Sequence, residues 1–255
     1  MSFEEYSKIK HETPYFYIVR SNEQILYYFG TQHSIDPNHP QFNLLKQKWN
    51  EFLNEAKAKK TLVLVERNIK DDKQNTLEES ISKYGESGAG MYFAFENSSE
   101  FKNPEPKIEE IVTFLLKNYS KEEILYFYES IAINHWQKNK IQQNINEFLS
   151  KNNEKYKKLL DWANLKISFD LLKEIHKKIF GQELDINDQS FFSQVTNPVT
   201  IKSRINELSR SQSIYRNEYI LGQIEKYWSN SYNIFVVYGA SHAVMQRPAI
   251  ESLIV

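Results

Sequence analysis

The sequence predicts an α/β fold: a central mixed β-sheet flanked by helices, with a helical insertion. Three observations predict it. Two apolar, aromatic and β-branched runs, Ile25–Phe29 and Ile234–Tyr238, have strand character. A third run, Thr61–Val65, is apolar without interruption, which suits a strand covered on both faces, as in a parallel sheet. Most of the long stretch of sequence between Val65 and Ile234 carries helical rather than alternating spacing.

The elements follow in order. Tyr15–Val19 and Ile25–Phe29 read as a hairpin, with Ser21–Gln24 as its turn. Phe42, Leu45, Trp49, Phe52, Leu53 and Ala56 recur at helical spacing and predict a helix over 40–58. With the strand at 61–66, residues 25–66 form a strand–helix–strand unit. A short helix is expected at 76–84, then a glycine-rich turn at 85–90 and a helix from Met91. Pro104-Glu105-Pro106 is the clearest break in the chain. From 107 to about 183 the pattern is mostly helical, and it is read as an insertion or cap, 107–190, within a single 1–255 domain. Residues 184–198 read as a loop, 200–228 as a long amphipathic helix, and 243–254 as a closing helix.

Composition narrows the function. A chain of 255 residues with 40% apolar and 25% charged residues is globular in character. Its net charge of −1 gives no electrostatic case for a nucleic-acid or anionic-membrane partner. Cysteine is absent, which excludes disulfides, thiol catalysis and thiolate metal sites. No apolar stretch approaches a membrane span, and the acidic, polar Met1–Tyr6 does not read as a signal peptide. A cytoplasmic protein is therefore expected, without a nucleic-acid or membrane partner.

One phrase occurs twice. Ile25-Leu26-Tyr27-Tyr28-Phe29-Gly30-Thr31-Gln32-His33 is matched by Ile234-Phe235-Val236-Val237-Tyr238-Gly239-Ala240-Ser241-His242. In both, a strand runs into Gly, two small or polar residues, and His. The Gly is expected to break the strand and turn the backbone. The His then emerges past the strand's C-terminal end, where open α/β sheets place ligands. His33 and His242 are thus candidates to meet in one cleft as base or metal ligand, against the reading of two structural histidines.

Other candidates are weighed in the same way. Glu66 ends the third strand, where a carboxylate is costly unless paired or ligating, with Arg67 as its ordinary partner. Glu86 lies in Gly85-Glu86-Ser87-Gly88. On the residues alone a helix-start carboxylate is preferred there, although the glycines permit close approach to a ligand. Arg216 is either an anion clamp or part of a solvated face with Glu207 and Glu218. His39 reads as a loop residue capping the next helix. His135 and His176 read as structural or exposed, and His11 as part of the N-terminal segment.

Gly30-Thr31-Gln32-His33 and Gly239-Ala240-Ser241-His242 resemble the paired Gly-x-x-His signatures of the TraB/Tiki superfamily, whose more distant relatives include ChaN-like haem-binding proteins and erythromycin esterases. Val65-Glu66, Gly85-Glu86-Ser87-Gly88 and Arg216-Asn217 stand in the order of that family's intervening motifs. The helical middle, roughly 107–190, matches no part of it. The resemblance implies hydrolysis of an ester or amide in a small-molecule or peptide substrate. His33, Glu66, Glu86, Arg216 and His242 would be the catalytic residues, and His33, Glu66 and His242 the ligands of a zinc, manganese or cobalt ion if a metal is used. A non-catalytic haem- or anion-binding protein of ChaN-like type is the alternative that the resemblance implies. An interaction or effector protein with a vestigial site is the third reading.

Overall fold

The computed structural model describes residues 1–21, 23–56, 60–69, 74–138, 144–160 and 168–253, with the backbone alone at 153 and 155–160. It forms two compact units, Met1–Glu105 with Asn217–Val255, and Pro106–Arg216. In chain order the elements are α1 (Phe3–Tyr6), β1 (Tyr15–Arg20), β2 (Ile25–Thr31), α2 (Gln41–Ala56), β3 (Thr61–Val65), α3 (Leu77–Glu96) and β4 (Glu100–Lys102). They continue with α4 (Ile108–Leu115), α5 (Lys121–Lys138), α6 (Ile145–Leu160), α7 (Phe169–Phe180), α8 (Gln189–Val195), α9 (Arg204–Ser229), β5 (Asn233–Gly239) and α10 (Ala240–Ser252).

The first unit is an α/β fold on a mixed five-stranded sheet of order β1-β2-β5-β3-β4. Only the β1–β2 hairpin is antiparallel; β2–β5, β5–β3 and β3–β4 run parallel. Strand residues alternate strictly between two cores, as a period of two requires. Tyr27, Phe29, Val63, Val65, Phe235 and Val237 face one side, where α2 and α3 supply Phe42, Trp49, Phe52, Ile81 and Phe93. Leu26, Tyr28, Leu62, Leu64, Val236 and Tyr238 face the other, where α9 and α10 supply Ile220, Ile224, Ala243 and Ile250. Both faces are covered, which explains why these strands read as continuous apolar runs.

This topology sets the site. β2 and β3 lead into α2 and α3 on one face, while the strand between them, β5, leads into α10 on the other. Neighbouring strands whose connections leave on opposite faces open a crevice at their C-terminal ends. In register, Thr31 pairs with Gly239 and Val65 with Val237, so the three strands end side by side.

The second unit is helical among the described residues. α4, α5, α7 and α8 close around Ile111, Leu115, Leu125, Phe127, Ile133, Leu172, Ile175 and Phe192, joined by Ile205 and Leu208 of α9. Residues 139–143 and 161–167 of the expected helical stretch lie outside the described residues, as do 57–58 of the helix expected at 40–58, Asn22 of the hairpin turn and residue 254 of the closing helix. The interior of this unit holds one carboxyl, Glu129, buried with neither oxygen hydrogen-bonded among the described residues.

Three local expectations are corrected, and one short strand, β4, was not expected. Residues 85–90 are not a turn but part of α3, which kinks only at Gly85 (φ 64, ψ −143). That positive φ needs glycine, and a Cβ there would sit 2.9 Å from the Ser34 carbonyl oxygen. Residues 189–195 are helical because Asp188 caps Phe191 N at 2.9 Å and Phe192 and Val195 are buried. β4 gives no apolar run, being three residues of a sheet edge. Finally, only the second glycine of the repeated phrase breaks its strand: Gly30 stays within β2, whereas Gly239 closes β5 at φ −57 and is the N-cap of α10. α10 begins at Ala240, so the second phrase is strand–helix where the first is strand–loop.

Candidate functional site

The residues beyond β2, β3 and β5 converge. His33 stands in the loop two residues after β2, Glu66 directly after β3, and His242 in the first turn of α10. The Glu66 carboxylate lies between the imidazoles, with Oε2 4.0 Å from His33 Nε2 and Oε1 3.7 Å from His242 Nε2. Gly239 N donates to Glu66 Oε2 at 3.1 Å. A Cβ at Gly239 would stand 2.9 Å from His33 Nε2 and 3.5 Å from Glu66 Oε2, so this close approach is what the glycine serves.

Side-chain amides fix both loops. Gln41, buried at the start of α2, donates to Gln32 O at 2.6 Å and accepts from Gln32 N at 2.9 Å, clamping the residue before His33. Gln41 N in turn is held by His39 Nδ1 at 3.3 Å, the capping role expected for that histidine. Asn103 Nδ2 donates to Val65 O at 3.0 Å and to Glu66 O at 2.7 Å. Arg67 N donates to Ser87 Oγ at 3.1 Å, tying the same turn to α3.

Each imidazole is also held from behind. Glu86, released from the first half of α3 by the Gly85 kink, places Oε1 2.5 Å from His33 Nδ1. This carboxylate raises the His33 pKa above its ordinary 6.5, burial opposes the rise, and Glu66 adds to it. The His33 side chain is 65% exposed and Glu86 9%, so water weakens that pair. His242 is 12% exposed; its Nδ1 meets Asn217 Oδ1 at 2.7 Å, and its ring stands edge-on to Tyr238. Asn217 Oδ1 also accepts from Gln246 Nε2 at 2.8 Å, and Gln246 Oε1 accepts from the Tyr28 hydroxyl at 2.8 Å.

Of the five candidate residues, His33, Glu66, Glu86 and His242 are brought together in the first unit. Glu86 acts on His33 rather than as a bare helix-start charge. Arg216, the fifth, is the last residue of the second unit. His176 is buried and hydrogen-bonded to the Tyr126 hydroxyl at 2.7 Å, a structural histidine, and His11 meets the Tyr6 hydroxyl at 3.2 Å.

Sequence reasoning missed Tyr28 and Gln246 and gave Asn217 no role of its own. A signal existed: Gln246 follows His242 by four residues, which places both on one face of a helix.

Two imidazole nitrogens and a carboxylate form a donor set suited to zinc, manganese or cobalt. Among the described residues, however, no group of three or more His, Asp or Glu side chains is gathered so as to hold a metal ion. The arrangement as it stands is two imidazoles of different exposure sharing one carboxylate, each with its second nitrogen tied to an oxygen. Among the described residues no helix is long and apolar enough to cross a membrane. Comparison of the chain with protein-family models, with curated proteins and with solved structures finds no match.

Proposed function

We propose that this chain is a hydrolase of the TraB/Tiki type, cleaving an ester or amide bond at the Glu66 cluster. One observation carries the reading: a single carboxylate faces Nε2 of both imidazoles, and the two imidazoles have different partners behind them. His33, hydrogen-bonded to a carboxylate that favours its protonated form, is suited to donate a proton. His242, hydrogen-bonded to a neutral amide oxygen, is suited to accept one.

In the proposed reaction His242 Nε2 takes a proton from water as the water oxygen bonds to the carbonyl carbon. The new imidazolium is balanced by Glu66. The carbon–heteroatom bond then breaks, and His33 gives its proton to the departing alkoxide or amine. The charge that develops on the carbonyl oxygen lies near protonated His33, an electrostatic stabilisation that strengthens as water is excluded. No step is routed through a metal.

The test is hydrolysis of a panel of activated esters and anilides by wild type, Glu66→Gln and His242→Ala, each with and without a chelator. Wild-type turnover that survives chelation and falls about 100-fold or more in both variants is expected, general acid–base catalysis being worth about 10²–10⁴-fold. Turnover unchanged in both variants overturns the reading. Turnover abolished by chelation and restored by zinc, manganese or cobalt replaces it with a metal-dependent one. A haem absorbance band in the purified protein, without turnover, replaces it with the ligand-binding alternative.

A further inference from the structure

We infer that Tyr28 fixes the tautomer of His242, acting through Gln246 and Asn217. The four residues form one hydrogen-bonded line: the Tyr28 hydroxyl to Gln246 Oε1, Gln246 Nε2 to Asn217 Oδ1, and His242 Nδ1 to the same Asn217 Oδ1.

The direction of such a line is not set by its middle members. A carboxamide can be turned over, exchanging donor for acceptor, and two in series can turn over together. In one sense His242 meets an amide oxygen and must carry its proton on Nδ1. In the other it meets an amide NH₂ and must carry its proton on Nε2, against Glu66.

Tyr28 decides between them. Its hydroxyl is fully buried, and among the described residues Gln246 is its one hydrogen-bond partner. A phenol has one proton to place. If Gln246 presents oxygen, that proton is used. If Gln246 presents NH₂, the proton loses the one partner it has among the described residues, a penalty that biases the equilibrium on the order of ten-fold or more. Gln246 is itself buried, so water does not relieve the choice. The phenol therefore makes Gln246 a donor towards Asn217, Asn217 an acceptor towards His242, and His242 an Nδ1–H imidazole with the Nε2 lone pair facing Glu66.

Tyr28 and Gln246 are thus positioning residues. Their value to catalysis rests on the proposed role of His242 as base, but the tautomer itself does not, and it is measured without any substrate.

The experiment is ¹⁵N NMR of the histidine rings of the whole chain, at a pH where His242 is neutral. Wild type is expected to show His242 as the Nδ1–H tautomer alone. Tyr28→Phe, which keeps the ring and removes the proton donor, is expected to give a mixture of tautomers. In Tyr28→Phe/Asn217→Asp a carboxylate replaces the amide and can only accept, so the Nδ1–H form is expected to return. An Nε2–H imidazole in wild type overturns the inference. So does an unchanged Nδ1–H imidazole in Tyr28→Phe, or a failure of the Asp variant to restore it.

Discussion

Glu86 Oε1 meets His33 Nδ1 at 2.5 Å across 53 positions of sequence, because α3 kinks at Gly85 immediately before the carboxylate. The contact links a helix start to the loop of the repeated phrase, and it has a pH signature. In the unfolded chain the imidazole titrates near its ordinary 6.5; in the fold Glu86 raises that value. The charge-dependent stabilisation is therefore complete below about pH 6.5 and is lost as pH rises through the folded value. Glu86→Gln is expected to return the His33 titration towards 6.5. It should also narrow the difference in melting temperature from wild type as pH rises above neutrality. Because His33 is mostly exposed, the effect is about 0–1 kcal/mol. NMR titration of His33 in both proteins checks it.

Gly239→Ala should separate the fold from the site. The backbone at Gly239 (φ −57) is open to any residue, so stability is expected to change by less than about 1 kcal/mol. The new Cβ takes space 2.9 Å from His33 Nε2, and His33, being exposed, has room to leave. Hydrolysis should fall while the melting temperature holds. A variant that keeps full turnover would show that the His33 position is not used.

The amide clamps predict a paired loss. Gln41→Ala frees both backbone groups of Gln32, and Asn103→Ala frees the carbonyls of Val65 and Glu66. Each is expected to cost about 1–3 kcal/mol, measured by chemical denaturation. Each should also reduce turnover more than a surface substitution of equal cost, since it loosens the loop that carries His33 or Glu66.

Glu129 gives a second pH dependence, opposite in character to an ion pair. Burial pushes its carboxyl from the ordinary 4.5 up to about 8. The unfolded chain releases this proton near 4.5 while the fold keeps it to about 8, so its contribution is complete below 4.5 and stability falls as pH rises between the two. The slope is about 1.4 kcal/mol per pH unit, for a total on the order of a few kcal/mol. Glu129→Gln cannot ionise. It is expected to be less pH-sensitive than wild type over that window and more stable at its upper end, by denaturant titration at both ends.

Much of this was legible in the residues, for identifiable reasons. β2, β3 and β5 are covered on both faces, so they announce themselves as unbroken apolar runs, and the residues just past their ends, His33, Glu66 and His242, follow from topology. Glu86 was read as a helix-start carboxylate because nothing in Gly85-Glu86-Ser87-Gly88 reveals that a kink aims it at His33. Tyr28, Asn217 and Gln246 stayed hidden because a polar residue on an amphipathic helix, or a tyrosine in a strand, looks the same whether it meets water or a buried partner. The glycines of 85–90 misled in the ordinary way: all but Gly85 lie in regular helix, and only Gly85 bends the chain.

The central claim is that the two phrases converge on Glu66, and Glu66→Gln tests it most directly. The ring ¹⁵N resonances of all six histidines are followed in wild type and variant. The account predicts that those of His33 and His242 move together, because one carboxylate faces both Nε2 atoms at 4.0 and 3.7 Å, while those of His135 and His176 stay where they were. Movement of only one of the pair, or of neither, would contradict it.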